Sequence, residues 1–576
     1  MKSFSFTTSL LLLLCVSLGH TSEAQQDSKS GRCHNTPGSA GYPSAAAWDA
    51  FNSSISGHLV DVVPSAKFCK SLPGGACTDA QWNSGVFRST IPGAMDEVRR
   101  GYDLSPPSLC LRNGTTCGQG DVPIYSVEAE TTADVQAAVK FASKHNLRLV
   151  VKSSGHDYLG RSTAPDSLLI RTSNFQNVSL TDAFFIGKKN MGSAVTFGSG
   201  LHANMLYQHT KANGKTVVAA LAGTVSPAGG YLQGAGHSPL SPAFGLAADN
   251  ALEYNVVVAS GELLQVNSDS HPDLFFALRG GGAGSWGVIV SATVRTFPTF
   301  NATSSMIVLT APNNTIASEL ATLHAQHIFD WDSVHAGHFF FFLKDSASAT
   351  NPNAPTSLTL LMLMPHTTAN RSTALLAPFL NASLAMPGVA VVSQAVESGD
   401  INDALFQADD GVGGNAAIGS RLIPQGTYRD SPEKAGAVYK KLLDGGTTSI
   451  LAHIVAGGKV SENARIDSAV HPAWRTAKAH IIVSNAWDDS ASLAEIHTLR
   501  KRFQTTQLPV LEELSGPNAG SYSNEADIEP HFQTTFFGPN YAKLSQIKRM
   551  HDPNDLFIVA AGVGSERWDE WGICRI

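Results

Sequence analysis

The period of the apolar positions changes several times along the chain, and each change marks an element. Val135, Ala138, Val139 and Ala142 recur at the i, i+3, i+4, i+7 spacing of one helix face. Thr131 or Thr132 is placed to cap that helix and Asn146 to end it. Leu147, Leu149 and Val151 then alternate as a half-buried strand, completing a βα-type unit. Further strands are predicted over 193–197 and 251–259, the second running into the Ser260-Gly261 turn. From about residue 300, strand-like runs at 338–343, 357–364 and 450–455 alternate with helical patterns at 433–443 and 491–503. That alternation predicts a second core, built as a mixed sheet covered by helices. A last helix over 541–550 stops before Asp552-Pro553.

Residues 25–117 fit neither pattern. They are rich in Pro, Gly, Ser and Cys, and predict an irregular lead-in with one helical piece over 45–54. A chain of 576 residues is too long for one core, so two or three domains are expected, and no internal repeat is visible. Lys2, the apolar run 10–16 and Ser22-Glu23-Ala24 read as a secretory signal cleaved before Gln25. No later apolar run reaches spanning length, so a secreted protein without a membrane partner is expected. Without Cys15, six cysteines remain, five of them before residue 118. Short loops favour Cys69–Cys77 and Cys110–Cys117, leaving Cys33–Cys574, one choice among fifteen connectivities. Sequons at Asn52, Asn113, Asn177, Asn301, Asn313, Asn370 and Asn381 predict a glycoprotein. A net charge of −7 gives no reason to expect a nucleic-acid partner.

The candidate chemistry begins where the 147–151 strand ends. Ser153-Ser154-Gly155 offers bare N–H groups able to cradle an anion, and His156 follows. Two dense glycine stretches come later: Gly229-Gly230-Tyr231-Leu232-Gln233-Gly234-Ala235-Gly236-His237, leading to Asp249, and Arg279-Gly280-Gly281-Gly282-Ala283-Gly284-Ser285-Trp286-Gly287, leading to Val288. Their density favours close backbone approach to a flat or phosphorylated ligand. Gly282-x-Gly284-x-x-Gly287 matches a dinucleotide fingerprint in letters only, because a helical pattern precedes it and a strand follows. The same stretch misses a serine-hydrolase elbow by one glycine. His324-x-x-His327 and His335-x-x-His338 are the closest histidine pairs, and without a His-Glu-x-x-His no metal site is expected. Finally, Tyr522, Asn524 and Glu525 could supply a donor, an anchor and a base. If that stretch is extended, Tyr522 and Asn524 share one face and Glu525 points away.

Taken together, these motifs resemble the berberine-bridge-enzyme-like branch of the vanillyl-alcohol-oxidase / p-cresol-methylhydroxylase (PCMH) flavoprotein superfamily. The resemblance covers about residues 118–572. It rests on Lys152-Ser-Ser-Gly-His156-Asp, Gly234-Ala-Gly-His237, Gly245-Leu-Ala-Ala-Asp-Asn250 and Asp273-Leu-Phe-Phe-Ala-Leu-Arg-Gly-Gly-Gly282. It rests also on Tyr522-Ser-Asn524, Phe537-Gly-Pro-Asn540-Tyr and Asp552-Pro-Asn-Asp-Leu-Phe557. The overall layout is most similar to secreted fungal isoamyl alcohol oxidase-like proteins. The family implies an α+β fold, with a two-subdomain PCMH-type FAD-binding domain and a substrate domain whose antiparallel sheet is covered by helices. On this chain the expected divisions are a signal peptide (1–24), a disulfide-rich segment (25–117), the FAD domain (118–299), the substrate domain (300–510) and a berberine-bridge-like C-terminal segment (511–576).

By the same resemblance FAD is the cofactor, joined by one 8α bond to His156. Ser153, Ser154 and Gly155 surround its pyrophosphate, Asn524 lies near the flavin, and Gly236, His237, Asp249, Gly281 and Val288 are further contacts. Bicovalent members carry a cysteine where Gly229 stands, so a second link is not expected. Some members place a tyrosine base where this chain has Glu525, which leaves Glu525 or Tyr522 as proton acceptor. Leu232 occupies a position where members differ in oxygen access. The implied activity is oxidation of an alcohol or hydroxylated small molecule, with dioxygen as acceptor and peroxide as product. Oxidative cyclisation or dehydrogenation in secondary metabolism, and a non-catalytic secreted binding glycoprotein, are the alternatives.

Overall fold

The computed structural model describes residues 33–97, 110–112, 114, 117–517 and 519–576. The expected signal peptide and the Asn113 sequon lie outside the described residues. The first sheet grows from the βα unit. Tyr125–Glu128 leads into the helix Thr132–Lys144, which returns the chain to Leu149–Lys152. Thr131 caps that helix, accepting from Asp134 N while the Asp134 carboxylate accepts from Thr131 N. Val135, Ala138, Val139 and Ala142 bury its predicted face. Leu168–Arg171 slots between the two strands, parallel to both. The lead-in is more regular than expected: Leu59–Asp61 adds an antiparallel edge strand to this sheet, and short helices follow at Ser65–Ser71, Asp79–Trp82 and Gly85–Ser89. The Cys69–Cys77 and Cys110–Cys117 disulfides are present, and Cys33 and Cys574 are also disulfide-bonded.

A five-stranded antiparallel sheet lies beyond, in the order Val178–Ile186, Lys189–Gly198, Val288–Arg295, Ala251–Val257, Leu263–Asn267. The third sheet has seven strands, ordered Ala390–Asp400, Asn301–Ala311, Thr356–Pro365, Gly337–Leu343, Ser449–Ile454, Ala477–Trp487, Asn415–Pro424. It is antiparallel throughout, as the family resemblance implies and in place of the mixed sheet expected from strand–helix alternation alone. A helix joining two strands ordinarily returns the chain parallel to its start. Here the helices Asn314–His327, Ala369–Leu384 and Glu433–Asp444 each return the chain two positions away, and an oppositely running strand fills the gap: Thr356–Pro365 between Asn301–Ala311 and Gly337–Leu343, Asn301–Ala311 between Thr356–Pro365 and Ala390–Asp400, and Ala477–Trp487 between Asn415–Pro424 and Ser449–Ile454.

Period-2 alternation divides the faces of this sheet. Phe340, Phe342, Leu358, Leu360, Ile450, Ala452, Ile481 and Val483 pack beneath the helices Asn314–His327, Ala369–Leu384 and Glu433–Asp444. The intervening Phe339, Phe341, Leu361 and His453 face a cavity on the other side.

Of the sequon asparagines, Asn177, Asn301, Asn370 and Asn381 are exposed, while Asn52 and Asn313 are half-buried. No helix among the described residues is long and apolar enough to cross a membrane.

A close contact forms across the two sequence-adjacent histidine pairs. His324 and His338 meet each other, Nε2 to Nε2 at 2.9 Å, among Trp331, Phe340 and Phe379. Burial, with the charges of His327 and Lys478 adding to it, pushes His324 down from 6.5 to about 3. Burial also drives His338 well below its ordinary value. As pH falls below 6.5 the unfolded chain takes up protons that the folded one refuses, so stability declines on acidification towards pH 3. At pH 5 His324 alone accounts for ~2 kcal/mol. Melting temperature measured against pH should fall through this window, with a flatter slope in the double variant His324→Met, His338→Met.

Candidate active site

The loop after Leu149–Lys152 is fixed from below. Lys152 is fully buried and its Nζ donates to the carbonyls of Ile91 and Pro92 at 3.0 Å and of Ala94 at 2.5 Å. Gly155, at φ +111°, accepts at its carbonyl from Asp96 N at 3.1 Å. His156 Nε2 then lies 2.6 Å from Thr224 Oγ1 and 3.4 Å from Asp96 Oδ2. The Thr224 hydroxyl donates to Asp410, so its oxygen accepts from His156 Nε2–H and the imidazole lone pair resides on Nδ1. Asp96 is wholly buried, and burial raises its carboxyl above the usual range against the opposing charges of His156 and Arg88.

Ser153, Ser154, Gly155 and His156 open into a cavity of about 580 Å³, a size suited to a cofactor with its substrate. The glycine stretches form much of its wall through Gly229, Gly230, Gly284 and Gly287. Gly229 sits in the tight turn Pro227–Tyr231, and a Cβ there would meet Ser153 Oγ at 2.7 Å. Gly284 and Gly287 have φ of +80° and +146°, with Val559 and the Val257 carbonyl 2.6 Å from where a Cβ would stand. Buried Ser226 Oγ and Gln233 Oε1 line the same space without a hydrogen-bond partner. A side-chain-free cradle with unspent polar atoms fits a nucleotide cofactor such as FAD.

The same cavity carries the polar groups of the C-terminal segment. Tyr522, Asn524 and Glu525 converge there, because residues 523–526 turn instead of extending and Glu525 N donates to Tyr522 O at 2.9 Å. This corrects the divided faces expected of an extended stretch. Asn524 Nδ2 donates to Gly230 O at 3.0 Å and to Tyr522 Oη at 2.8 Å, while its Oδ1 accepts from Arg161 at 2.7 Å. Glu525 Oε2 lies 2.9 Å from His237 Nε2, 3.4 Å from His480 Nδ1 and 3.9 Å from His453 Nδ1. Burial works to raise the Glu525 carboxyl, yet the charge and hydrogen bond of His237, with His453 and His480 behind, hold it down at about 2. Tyr522 shifts the other way: burial, then the Glu525 carboxylate, raise it far above the ordinary phenol range. At neutral pH the site therefore presents a carboxylate acceptor beside a phenol that keeps its proton.

Four expected cofactor contacts do not line the cavity. Gly236 gives room to Tyr231 and Ala247, each 2.8 Å from where its Cβ would stand. Asp249 pairs with Arg475 at 2.7 Å and fastens the turn Ala247–Asn250. Gly281 packs on the Ala277 carbonyl, and Val288 is buried in the sheet opposite Val257. Leu232 also turns into the core. Asp96, Thr224, Arg161, His453 and His480 were not singled out in the sequence. The two histidines carried one signal, a polar residue on the alternating face of an otherwise apolar strand.

A glycine-walled nucleotide cavity between a βα sheet and a helix-backed antiparallel sheet defines a flavoprotein class. Comparisons agree: the profile of the FAD binding domain matches residues 123–267, and that of berberine and berberine-like proteins matches 521–564. An uncharacterized FAD-linked oxidoreductase of Arthroderma benhamiae is 35% identical over 601 residues, covering 100% of both chains. Two VAO-type flavoproteins of Myceliophthora thermophila C1 have solved structures that superimpose well. MtVAO615 is 29% identical with a TM-score of 0.82, covering 94% of this chain and 100% of its own. MtVAO713 is 26% identical with a TM-score of 0.84, covering 95% and 100%. The chain belongs to the FAD-linked oxidoreductases of the VAO and berberine-bridge type, and FAD is its cofactor.

Proposed function

We propose that this chain is a secreted oxidoreductase that removes hydrogen from a hydroxyl-bearing small molecule, with dioxygen as final acceptor and FAD tethered through His156 alone. The observation that carries the reading is the Glu525–His237 contact at 2.9 Å, at the cavity end where Tyr522 keeps its proton. FAD, when bound, supplies the hydride-accepting chemistry. Glu525 takes the hydroxyl proton at a carboxylate oxygen, and His237 Nε2–H donates to that carboxylate and orients it. Tyr522 donates to the substrate oxygen and orients it. Ser153, Ser154, Gly155, Gly229 and Gly284 are the residues that would hold the cofactor, and His156 Nδ1 carries the lone pair needed for attachment. Met306, Phe339, Phe341 and Leu361 line the sheet side, so the donor has an apolar or aromatic body. The disulfides and the apolar N-terminal run support an oxidising, extracellular setting.

The test is anaerobic mixing of the holoprotein with benzylic, aliphatic and sugar alcohols while the visible flavin absorbance is followed. Benzylic or bulky hydroxylated donors should bleach it fastest, and air should restore it with release of peroxide. Fastest bleaching by sugars would refute the donor class; no bleaching by any donor would refute the activity.

A further inference from the structure

Behind the proton-accepting end lies a cluster that the oxidation does not fully use. His453 and His480 stand directly opposite each other on adjacent strands, Ser449–Ile454 and Ala477–Trp487, both on the cavity face. His237 comes from the glycine-rich segment and Glu525 from the C-terminal turn. One ligand atom from each of the four lies within 4.8 Å of every other. Neither ring nitrogen of His480, which is 0% exposed, has a hydrogen-bond partner, and Nδ1 of His237 and of His453 also lacks one. Buried imidazole nitrogens left unsatisfied around a carboxylate are costly unless something else binds them. The rings of Trp474 and Tyr522 pack against the cluster and limit its access to water.

We propose that His237, His453, His480 and Glu525 form a binding site for one divalent transition-metal ion of the zinc class. Metal–ligand bonds of about 2.1 Å in a tetrahedron set ligand atoms about 3.4 Å apart. The Glu525 Oε2 separations of 2.9, 3.4 and 3.9 Å bracket that value, and the widest spacing among the four ligand atoms, 4.8 Å, has to contract when an ion is bound. Two of the four ligands stand on paired strands, which fixes their spacing before an ion arrives. Three imidazoles and one carboxylate suit zinc, copper or nickel, whereas calcium and magnesium require an oxygen shell. His237, His453 and Glu525 line the cavity, so an ion can enter from it. Occupancy converts Glu525 from proton acceptor to ligand, a consequence that rests on the function proposed above.

The binding itself is measured without turnover. EDTA-stripped holoprotein, with its tag removed, is titrated calorimetrically with Zn²⁺, and with Mg²⁺ and Ca²⁺ as controls. One Zn²⁺ per chain is expected, with no binding of the controls. In His480→Phe the affinity should weaken by at least ~100-fold, with flavin content and melting temperature unchanged. Should that variant misfold, a zinc-soaked crystal decides: an anomalous peak among the four side chains is the expected result. Failure to bind Zn²⁺, binding undiminished in a folded His480→Phe, or a peak elsewhere overturns the site, leaving the oxidoreductase reading intact. Given a site that binds, slower flavin reduction by donor after zinc loading, reversed by chelator, is the expected consequence. An unchanged rate on loading would show instead that Glu525 is not the acceptor.

Discussion

Replacing Glu525 with glutamine slows flavin reduction by ~10²–10⁴-fold, the usual worth of a positioned base. Glutamine keeps the volume and can still hydrogen-bond His237, but it cannot accept a proton. The turn that brings Glu525 to the cavity is held by backbone and by Asn524, so the variant should retain flavin and fold. Tyr522→Phe separates the two candidate acceptors. Its phenol stays protonated in its buried setting, so its loss removes one hydrogen bond and costs about tenfold. Anaerobic stopped-flow reduction of both variants by one donor measures the ratio. A Tyr522→Phe deficit exceeding that of Glu525→Gln would reverse the two roles.

His156→Ala should change the cofactor from acid-resistant to acid-released without emptying the site. The cavity wall is made by glycines, Ser153, Ser154, Ser226 and Gln233, none of which depends on the imidazole. Wild type precipitated with acid should keep its yellow colour in the pellet and show in-gel flavin fluorescence. The variant should release FAD wholly to the supernatant. None of the described residues lining the cavity is a cysteine, so His156→Ala should leave no residual attachment. Acid-resistant flavin in the variant would refute a sole tether at His156.

The βα unit, the strand-end loop with His156 and the two glycine walls were legible in the sequence because each depends on a local period or a local steric need. Gly229, Gly284 and Gly287 have neighbours that leave no space for a Cβ, and sequence density alone betrays such crowding. The third sheet was legible as strands and helices from periodicity and as antiparallel only from the family motifs, since alternation does not say which gap each crossover leaves. Tyr522, Asn524 and Glu525 were found, yet their convergence was not, because an extended and a turning backbone are equally consistent with Ser-Tyr-Ser-Asn-Glu. His453 and His480 escaped notice for a different reason. Their meeting depends on the register between two strands, and no single window of sequence contains it.

The hold of the N-terminal segment on the cofactor loop bears on how separable the parts are. Ile91, Pro92 and Ala94 accept from Lys152, and Asp96 contacts both Gly155 and His156, yet the matched FAD binding domain begins only at residue 123. A chimera that transplants residues 123–267 alone would carry the histidine without the floor that aims it. Lys152 would then be left with a buried ammonium and no acceptors. Recombining flavin modules among these oxidoreductases therefore calls for a crossover placed before the helix Gly85–Ser89, so that the loop and its footing travel as one inherited piece.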